Sequence, residues 1–159
     1  MAASTSAKKS DSPESRLDAF LDKYTPAIAT LARACLEKMR ARLPGAVQLV
    51  YDNYNALAIG FGPSERASEA IFSIALYPRW VTLFFLQGVG LPDPRRLLKG
   101  SGKVVRHIVL ASAADLDRPA IRDLMASALR RAEAGIDPTA PGRLVIRSVS
   151  AKQRPRRPA

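Results

Sequence analysis

A chain of 159 residues with 47% hydrophobic content is long enough for one domain with its own core. Its single cysteine, Cys35, excludes an intrachain disulfide and fits a reducing compartment. The net charge is +11, and no apolar run approaches the ~20 residues of a spanning helix. The N-terminus also lacks the apolar segment of a secretory signal, so we expect a cytoplasmic protein without membrane contact.

Two amphipathic helices open the folded part of the sequence. Pro13 and Pro26 each follow a Ser or Thr that is suited to capping, which is typical of a helix start. Apolar residues at three- and four-residue spacing predict helices over 13–23 and from Pro26 to a Pro-Gly stop. Cys35 lies in the apolar stripe of the second helix, where we expect a buried, unreactive thiol.

Beyond the Pro-Gly stop the apolar spacing changes from about 3.6 residues to about two, which predicts β-strands. Three short connections join the first four runs, so these neighbours should pair antiparallel, because parallel pairs need a crossover of about a dozen residues. The fourth run is apolar on both faces apart from Thr82, which favours the interior of a sheet. The predicted strands are, in chain order, 47–51, 56–61, 70–77, 80–86 and 104–110.

The C-terminal part predicts one more helix and a basic tail. Apolar residues recur at helical spacing over 119–134, and Gly135 follows as a stop. Residues 143–149 alternate cations with hydrophobes, which predicts an added edge strand. The following residues, 152–158, are rich in arginine and proline, so we expect them not to pack.

These elements predict an α+β fold in a single domain over 16–142, with an antiparallel sheet of about five strands. Two N-terminal helices and one C-terminal helix should cover one face of that sheet. The opposite face should stay partly open or form a homodimer. Residues 1–15 are assigned to a disordered N-terminal segment, and 143–159 to a basic tail with six cations and no acid.

Three stretches of the sequence carry a resemblance to a known family: LVYDNYNALAIGFGP (49–63), SIALYPRWVTLFFLQG (73–88) and LPDPRRLLKGSGKVVRHIVL (91–110). With the order of the helices and strands, they resemble the YdhG-like domain family, a bacterial family of largely unknown function. The resemblance spans about residues 16–135. It implies helices packed on an antiparallel sheet, and it carries no catalytic motif.

One branch of that family has been proposed to bind iron in the manner of frataxin, which would use carboxylates on an exposed helix. In this chain Asp11, Glu14, Asp18 and Asp22 are spaced three and four residues apart, so a helix would align them on one ridge. Oxygen ligands of this kind suit hard cations. Acids near a helix N-terminus are equally favoured by the helix dipole without any metal, so we assign no metal ligand.

A loop before the fifth strand combines glycines with cations. It resembles part of a phosphate-binding loop, but Leu97 and Val104 stand where the full motif needs a glycine and a Ser or Thr. A nucleotide-hydrolysing loop is therefore excluded, whereas glycine N–H groups and nearby cations could still bind an anion. The alternative is a glycine turn with a solvated basic rim. The candidate residues are Arg96, Gly100, Gly102, Lys103 and Arg106.

Three further features are candidates for a site. His107 is the single histidine; it could act as a general base beside a carboxylate or simply be a satisfied strand residue. Tyr51 and Asn53 could line a polar pocket or build the first hairpin. Arg79 and Trp80 place a cation beside a large ring, which suits stacking, an interface anchor, or a buried ring with Arg covering its edge.

The leading functional hypothesis is a non-catalytic binding or accessory module without a cofactor, for a small anionic ligand or an acidic partner surface. One alternative is nucleic-acid binding through the basic tail. Another is an enzyme that uses His107 with a carboxylate. A fourth hypothesis is iron binding through the acidic first helix.

Overall fold

The computed structural model describes residues 12–159, which form three helices and a six-stranded sheet. Helices α1 to α3 span Pro13–Leu21, Pro26–Arg42 and Pro119–Arg131. Strands β1 to β6 span Val47–Asp52, Leu57–Gly62, Phe72–Leu76, Val81–Phe85, Arg106–Leu110 and Arg143–Val149. The predicted α+β class is confirmed, with six strands rather than about five. Of the segment predicted to be disordered, 1–15, residues 1–11 lie outside the described residues, whereas 13–15 form the first turn of α1.

The sheet runs in the order β5-β4-β3-β2-β1-β6. The first five strands pair antiparallel, and the short connections among the first four predict this. The predicted edge strand at 143–149 is also confirmed, but it pairs parallel with β1, with a register shift between Val50 and Tyr51. The parallel direction follows from the long connection through α3, which returns the chain to the end at which β1 begins. No helix among residues 12–159 has the length and apolar content needed to cross a membrane.

The helices cover one face of the sheet. Ser12 and Thr25 accept hydrogen bonds from backbone N–H groups in the first turns of α1 and α2, as their positions predict. Alternate strand residues face the helices and are buried with them in one hydrophobic core. Cys35 lies in that core with no exposed surface, and burial raises the pKa of its thiol to about 11. The central row of this core face is Val50, Ile59, Ile74, Leu83 and Ile108.

Tyr24, in the connection between α1 and α2, is a polar member of the core. Its hydroxyl donates to the Leu76 carbonyl and accepts from the Leu57 N–H, both at 3.2 Å, so it joins the helix layer to two strands. Burial raises the pKa of Tyr24 to about 12, partly offset by the nearby Arg156. The phenol therefore stays neutral and acts as a fixed hydrogen-bonding group.

The last ten residues, Ser150–Ala159, form an arm that packs along the β1–β2 hairpin. The Ser150 N–H donates to the Asp52 carbonyl at 2.8 Å, and the Arg154 N–H donates to the Tyr54 carbonyl at 2.9 Å. We call this segment the C-terminal arm. The prediction that 152–158 does not pack is wrong, because the arm has a buried partner that its composition does not reveal.

Arg156 anchors the arm. Its side chain is 5% exposed, and one guanidinium nitrogen donates to Asp52 Oδ1 at 2.9 Å and to the Asn53 carbonyl at 2.6 Å. The guanidinium also lies 5.8 Å from the centre of the Tyr24 ring. Lys23 Nζ contacts Asp52 Oδ2 at 2.9 Å, so both carboxylate oxygens have a cationic partner. A fully buried carboxylate at the end of β1 therefore holds a basic tail in place.

The pKa of Asp52 follows from this arrangement. Burial by itself raises it, but hydrogen bonds from Gln153, Lys23 and Arg156 outweigh burial and bring the pKa below its usual value. Asp52 thus remains ionised across the neutral range and matches the charge of Arg156. The Arg156 Nε is buried and has no hydrogen-bond partner within residues 12–159, which is a small cost within a favourable network.

We predict that Arg156→Ala lowers the free energy of unfolding by about 3 kcal/mol, because it leaves Asp52 buried with only part of its compensation. Arg157→Ala is the matched control, since Arg157 is exposed and bonds only to main-chain carbonyls of Lys23 and Asp22. Its effect should stay below about 1 kcal/mol. Urea unfolding measures both. Equal effects of the two substitutions would show that the arm contributes charge rather than a specific anchor.

The lowered pKa of Asp52 gives stability that is present above its unfolded value of about 3.9 and is lost as pH falls through the lower folded value. We therefore predict that Asp52→Asn is markedly destabilised at pH 7 and loses less stability than wild type between pH 5 and pH 2. Asp117 and Asp137, whose pKa values are also lowered, keep their contributions in the variant. Thermal unfolding over that pH range measures the difference. Parallel curves for the two proteins would contradict the assignment.

Candidate binding site on the exposed sheet face

The sheet face opposite the helices carries two cross-strand rows whose residues follow from the register. Leu49 and Ala75 lie on this face and are buried, yet they are outside the core that the helices complete. The first row is Ser148, Tyr51, Ala58, Ala75, Thr82 and Val109. The second row is Val145, Leu49, Gly60, Ser73, Phe84 and His107. We call this surface the exposed face.

Small residues occupy the middle of the exposed face. Larger side chains rise beside them, so a shallow trough of about 600 Å³ forms over the sheet. Its floor consists of Ala58, Ser73 and Ala75, and Phe84 and Tyr77 contribute ring walls. The floor of the trough is therefore made of small side chains with a single hydroxyl, that of Ser73.

Aromatic rings mark the end of the trough where the β1–β2 and β3–β4 turns lie, which we call the hairpin end. Tyr77 and Trp80 stack with ring centres 5.3 Å apart, and Trp80 is 45% exposed. Tyr54 is 49% exposed, and the Arg154 guanidinium lies 5.7 Å from its ring centre. This end thus presents ring surface and positive charge together.

The loop at 99–105 lies at the other end of the trough, because β5 enters the sheet there beside the end of β4. We call this the loop end. Val105 lines the trough, and the exposed Lys103 precedes it by two residues. Strand β4, with five residues, runs about 17 Å from one end to the other. A ligand lying along the strands would therefore meet cations at both ends.

Charge is divided between the two sides of the molecule. Of the described residues, none with a carboxylate lines the trough, and Arg79, Lys103 and Arg154 have no carboxylate partner in the part of the chain from Ser12 onward. Several acids of the helix layer are paired with cations of that layer, although Glu37 and Asp123 form no ion pair among the described residues. Asp117, for example, contacts Lys38 at 2.6 Å and Arg42 at 2.9 Å. The exposed face is thus left with a positive field.

The glycine-rich loop is held by internal bonds. Gly100 has a φ of 119°, which favours glycine, and Lys99 exchanges two backbone hydrogen bonds with His107 at 2.8 and 2.9 Å. The Arg106 guanidinium donates to the carbonyls of Gly102 and Val105 at 2.6 and 2.8 Å. Arg106 therefore stabilises the loop, whereas Lys103 is exposed and has no ion pair among the described residues, so it can meet an anion.

The predicted site residues do not form one compact cluster. Tyr51 and Asn53 lie on the β1 side and His107 on the β5 side, about 19 Å apart across four strand spacings. Arg79 and Trp80 lie in the β3–β4 turn rather than in a strand. Arg96, with a φ of 54°, is exposed in the turn that precedes the glycine loop. The structure therefore joins most of these residues through the exposed face rather than through a single pocket.

His107 has the environment of a packed strand residue. Its ring centre lies 5.6 Å from that of Phe84, its cross-strand neighbour. Within residues 12–159, no carboxylate hydrogen-bonds to it, and no group of three or more His, Cys, Asp or Glu side chains could hold a metal ion. The geometry there suits ring stacking rather than proton transfer.

The acidic ridge proposed for iron is occupied by arginine. Arg33 contacts Asp18 at 2.6 Å and Asp22 at 2.8 Å, and Glu14 lies 3.5 Å from Arg40. Asp11 lies outside the described residues. The carboxylates thus serve to join α1 to α2.

Comparison with models of protein families, with characterised proteins and with solved structures finds no match to this chain. Membership of the YdhG-like family therefore stays a prediction. The properties of the exposed face therefore follow from the residues of this chain alone and not from a relative.

Sequence reasoning missed the residues that form the trough itself. Ser73 and Ala75 alternate with Phe72, Ile74 and Leu76, so the two faces of β3 differ in side-chain size. The contrast between small and large residues was a usable signal for an open surface. The pairing of Arg154 with Tyr54 left no such signal, since it depends on the docked arm.

We predict that Arg106→Ala speeds amide hydrogen exchange in residues 100–105 roughly fivefold, because it removes side-chain bonds worth about 1 kcal/mol to the loop. Lys103→Ala is the matched control and should leave exchange in the loop unchanged. Exchange followed by NMR separates the two variants. An identical response would show that the guanidinium does not hold the loop.

Proposed function

We propose that this chain is a non-catalytic binding module that holds an anionic ligand or an acidic partner surface against its exposed sheet face. The observation that carries the proposal is the charge division. The trough is free of carboxylates among the described residues, and cations without acidic partners lie at both of its ends. Such a field concentrates anions at the surface before any specific contact forms.

The shape of the surface supports binding rather than catalysis. The trough is shallow, its floor is made of Ala58, Ser73 and Ala75, and His107 faces a ring rather than a carboxylate. A second cavity of about 410 Å³ lies near the C-terminal end of α3, but Arg131 beside it is already bonded to the carbonyls of Gln87 and Val89. That cavity offers no free cation of this kind to an anion.

Two of the other hypotheses from the sequence, iron binding and nucleic-acid binding by the tail, have weaker support. Iron binding would first have to displace Arg33 from Asp18 and Asp22. Binding of nucleic acid by a free basic tail would require Arg156 to leave its buried site beside Asp52. We also propose a cytoplasmic location, because Cys35 is a free thiol in a chain with no other cysteine.

Titration of ¹⁵N-labelled protein with linear polyphosphate, as a simple polyanion, tests the proposed face. We expect the largest amide shifts on the exposed face and at its two ends. Arg79→Ala with Lys103→Ala should weaken binding about tenfold, at roughly 0.7 kcal/mol for each rim charge. Arg16→Ala with Arg130→Ala removes two exposed cations of the helix layer and is the matched control.

The control should bind within about twofold of wild type. Shifts concentrated on the helices, or equal losses in both double variants, would sink the proposal, since binding would then follow net charge alone.

A further inference from the structure

We propose that the partner of the exposed face is single-stranded nucleic acid. This inference rests on the function proposed above and specifies its ligand class. A single strand offers a planar base and a negative charge in every nucleotide. Proteins that bind it without sequence preference combine a positive groove with aromatic side chains on which bases stack. The exposed face has both components in one continuous surface.

The rings are accessible where a base would need them. Tyr54 and Trp80 are 49% and 45% exposed at the hairpin end, although large aromatic side chains are normally mostly buried. Phe84 and His107 are half-buried neighbours on β4 and β5, with ring centres 5.6 Å apart. Ring surface therefore continues from the hairpin end into the middle of the face.

The cations are placed beside the rings. Arg154 lies over Tyr54, and Arg79 precedes Trp80 in the same turn. Lys103 stands at the loop end, about 17 Å away along the strands. Charges at this separation suit an extended phosphate backbone that crosses the sheet, whereas a small anion would engage one end only.

The floor of the trough determines which form of nucleic acid fits. Ala58, Ser73 and Ala75 are short, and Ser73 and Ala75 are buried, so a flat group that enters the trough would lie above this floor, between the taller rings. Bases can enter the trough in this way only when they are unpaired, because in a duplex they are stacked inside. The described residues lining the trough include no charged side chain, and their side-chain hydrogen-bonding groups belong to two amides and four hydroxyl residues, so we expect weak sequence preference. They are Asn53, Asn55, Tyr54, Ser73, Tyr77 and Ser150.

The chain contains a built-in probe, since Trp80 is its single tryptophan. We propose to titrate the full chain with a twelve-nucleotide oligo(dT) and, separately, with polyphosphate of equal charge, and to follow Trp80 fluorescence and binding. We expect quenching by the oligonucleotide alone, and affinity about tenfold higher than for polyphosphate, because stacking adds to the charge contribution. Affinity for both should fall as salt rises.

Tyr54→Leu should weaken oligonucleotide binding about tenfold and leave polyphosphate binding unchanged, because it removes a ring and no charge. Tyr54 is exposed, so this variant should fold; Phe84→Leu is a second test inside the trough. Arg130→Ala on α3 is the charge control and should not affect either ligand by more than about twofold.

Three outcomes would overturn the inference. Equal affinities for the oligonucleotide and polyphosphate, without quenching of Trp80 fluorescence, would reject nucleic acid as the partner and leave the proposal of anion binding intact. If the Arg79/Lys103 variant and the Tyr54 variant both bind as tightly as wild type, both proposals are wrong. A concentration-dependent dimer by light scattering, broken by Tyr54→Leu, would assign the face to a second copy of the chain instead.

Discussion

A buried ion pair between Asp52 and Arg156 joins the first strand of the sheet to the C-terminal arm. Asp52 ends the first strand on the core side of the sheet, and Arg156 lies three residues before the last residue, Ala159. Because a carboxylate without exposed surface requires compensation, the arm must dock for the β1–β2 hairpin to keep its conformation. Lys23 adds the helix layer to the same network. Helices, hairpin and arm are therefore linked at one charged point inside an otherwise apolar core.

The Asp52–Arg156 ion pair also affects the exposed face, because it holds the C-terminal arm in place. The arm places Arg154 over Tyr54, and Ser150 lines the trough, so the hairpin end owes part of its charge to the anchored segment. The alternation of side chains along the strands does the rest. On β2 and β3 large residues face the helices and small ones face outward, so a trough forms between the taller residues of the neighbouring strands. Stability and binding surface thus arise from the same strands.

The division of charge has an equally simple origin. The helix layer uses its acids to join its elements, as Arg33 does with Asp18 and Asp22, and this consumes carboxylates on that side. Strands of the sheet interior contribute few acids, because charged residues are costly there. The cations left over lie in turns and in the arm. Arg79, Lys103 and Arg154 are three such cations, and they lie at the two ends of the exposed face.

The sequence alone determined the elements and most of the pairing. Helix caps at Ser12 and Thr25, the change of spacing after Pro44 and the short turns up to Phe85 are local signals, and they predicted α+β topology with antiparallel neighbours. The parallel placement of β6, the docking of the arm and the convergence of Tyr54, Trp80 and Phe84 on one surface were decided by tertiary structure. Their physical cause is contact between residues that are far apart in the chain. Arg156, for example, acts as an anchor only because it lies beside Asp52, and the composition of the tail describes neither that distance nor the burial of the pair.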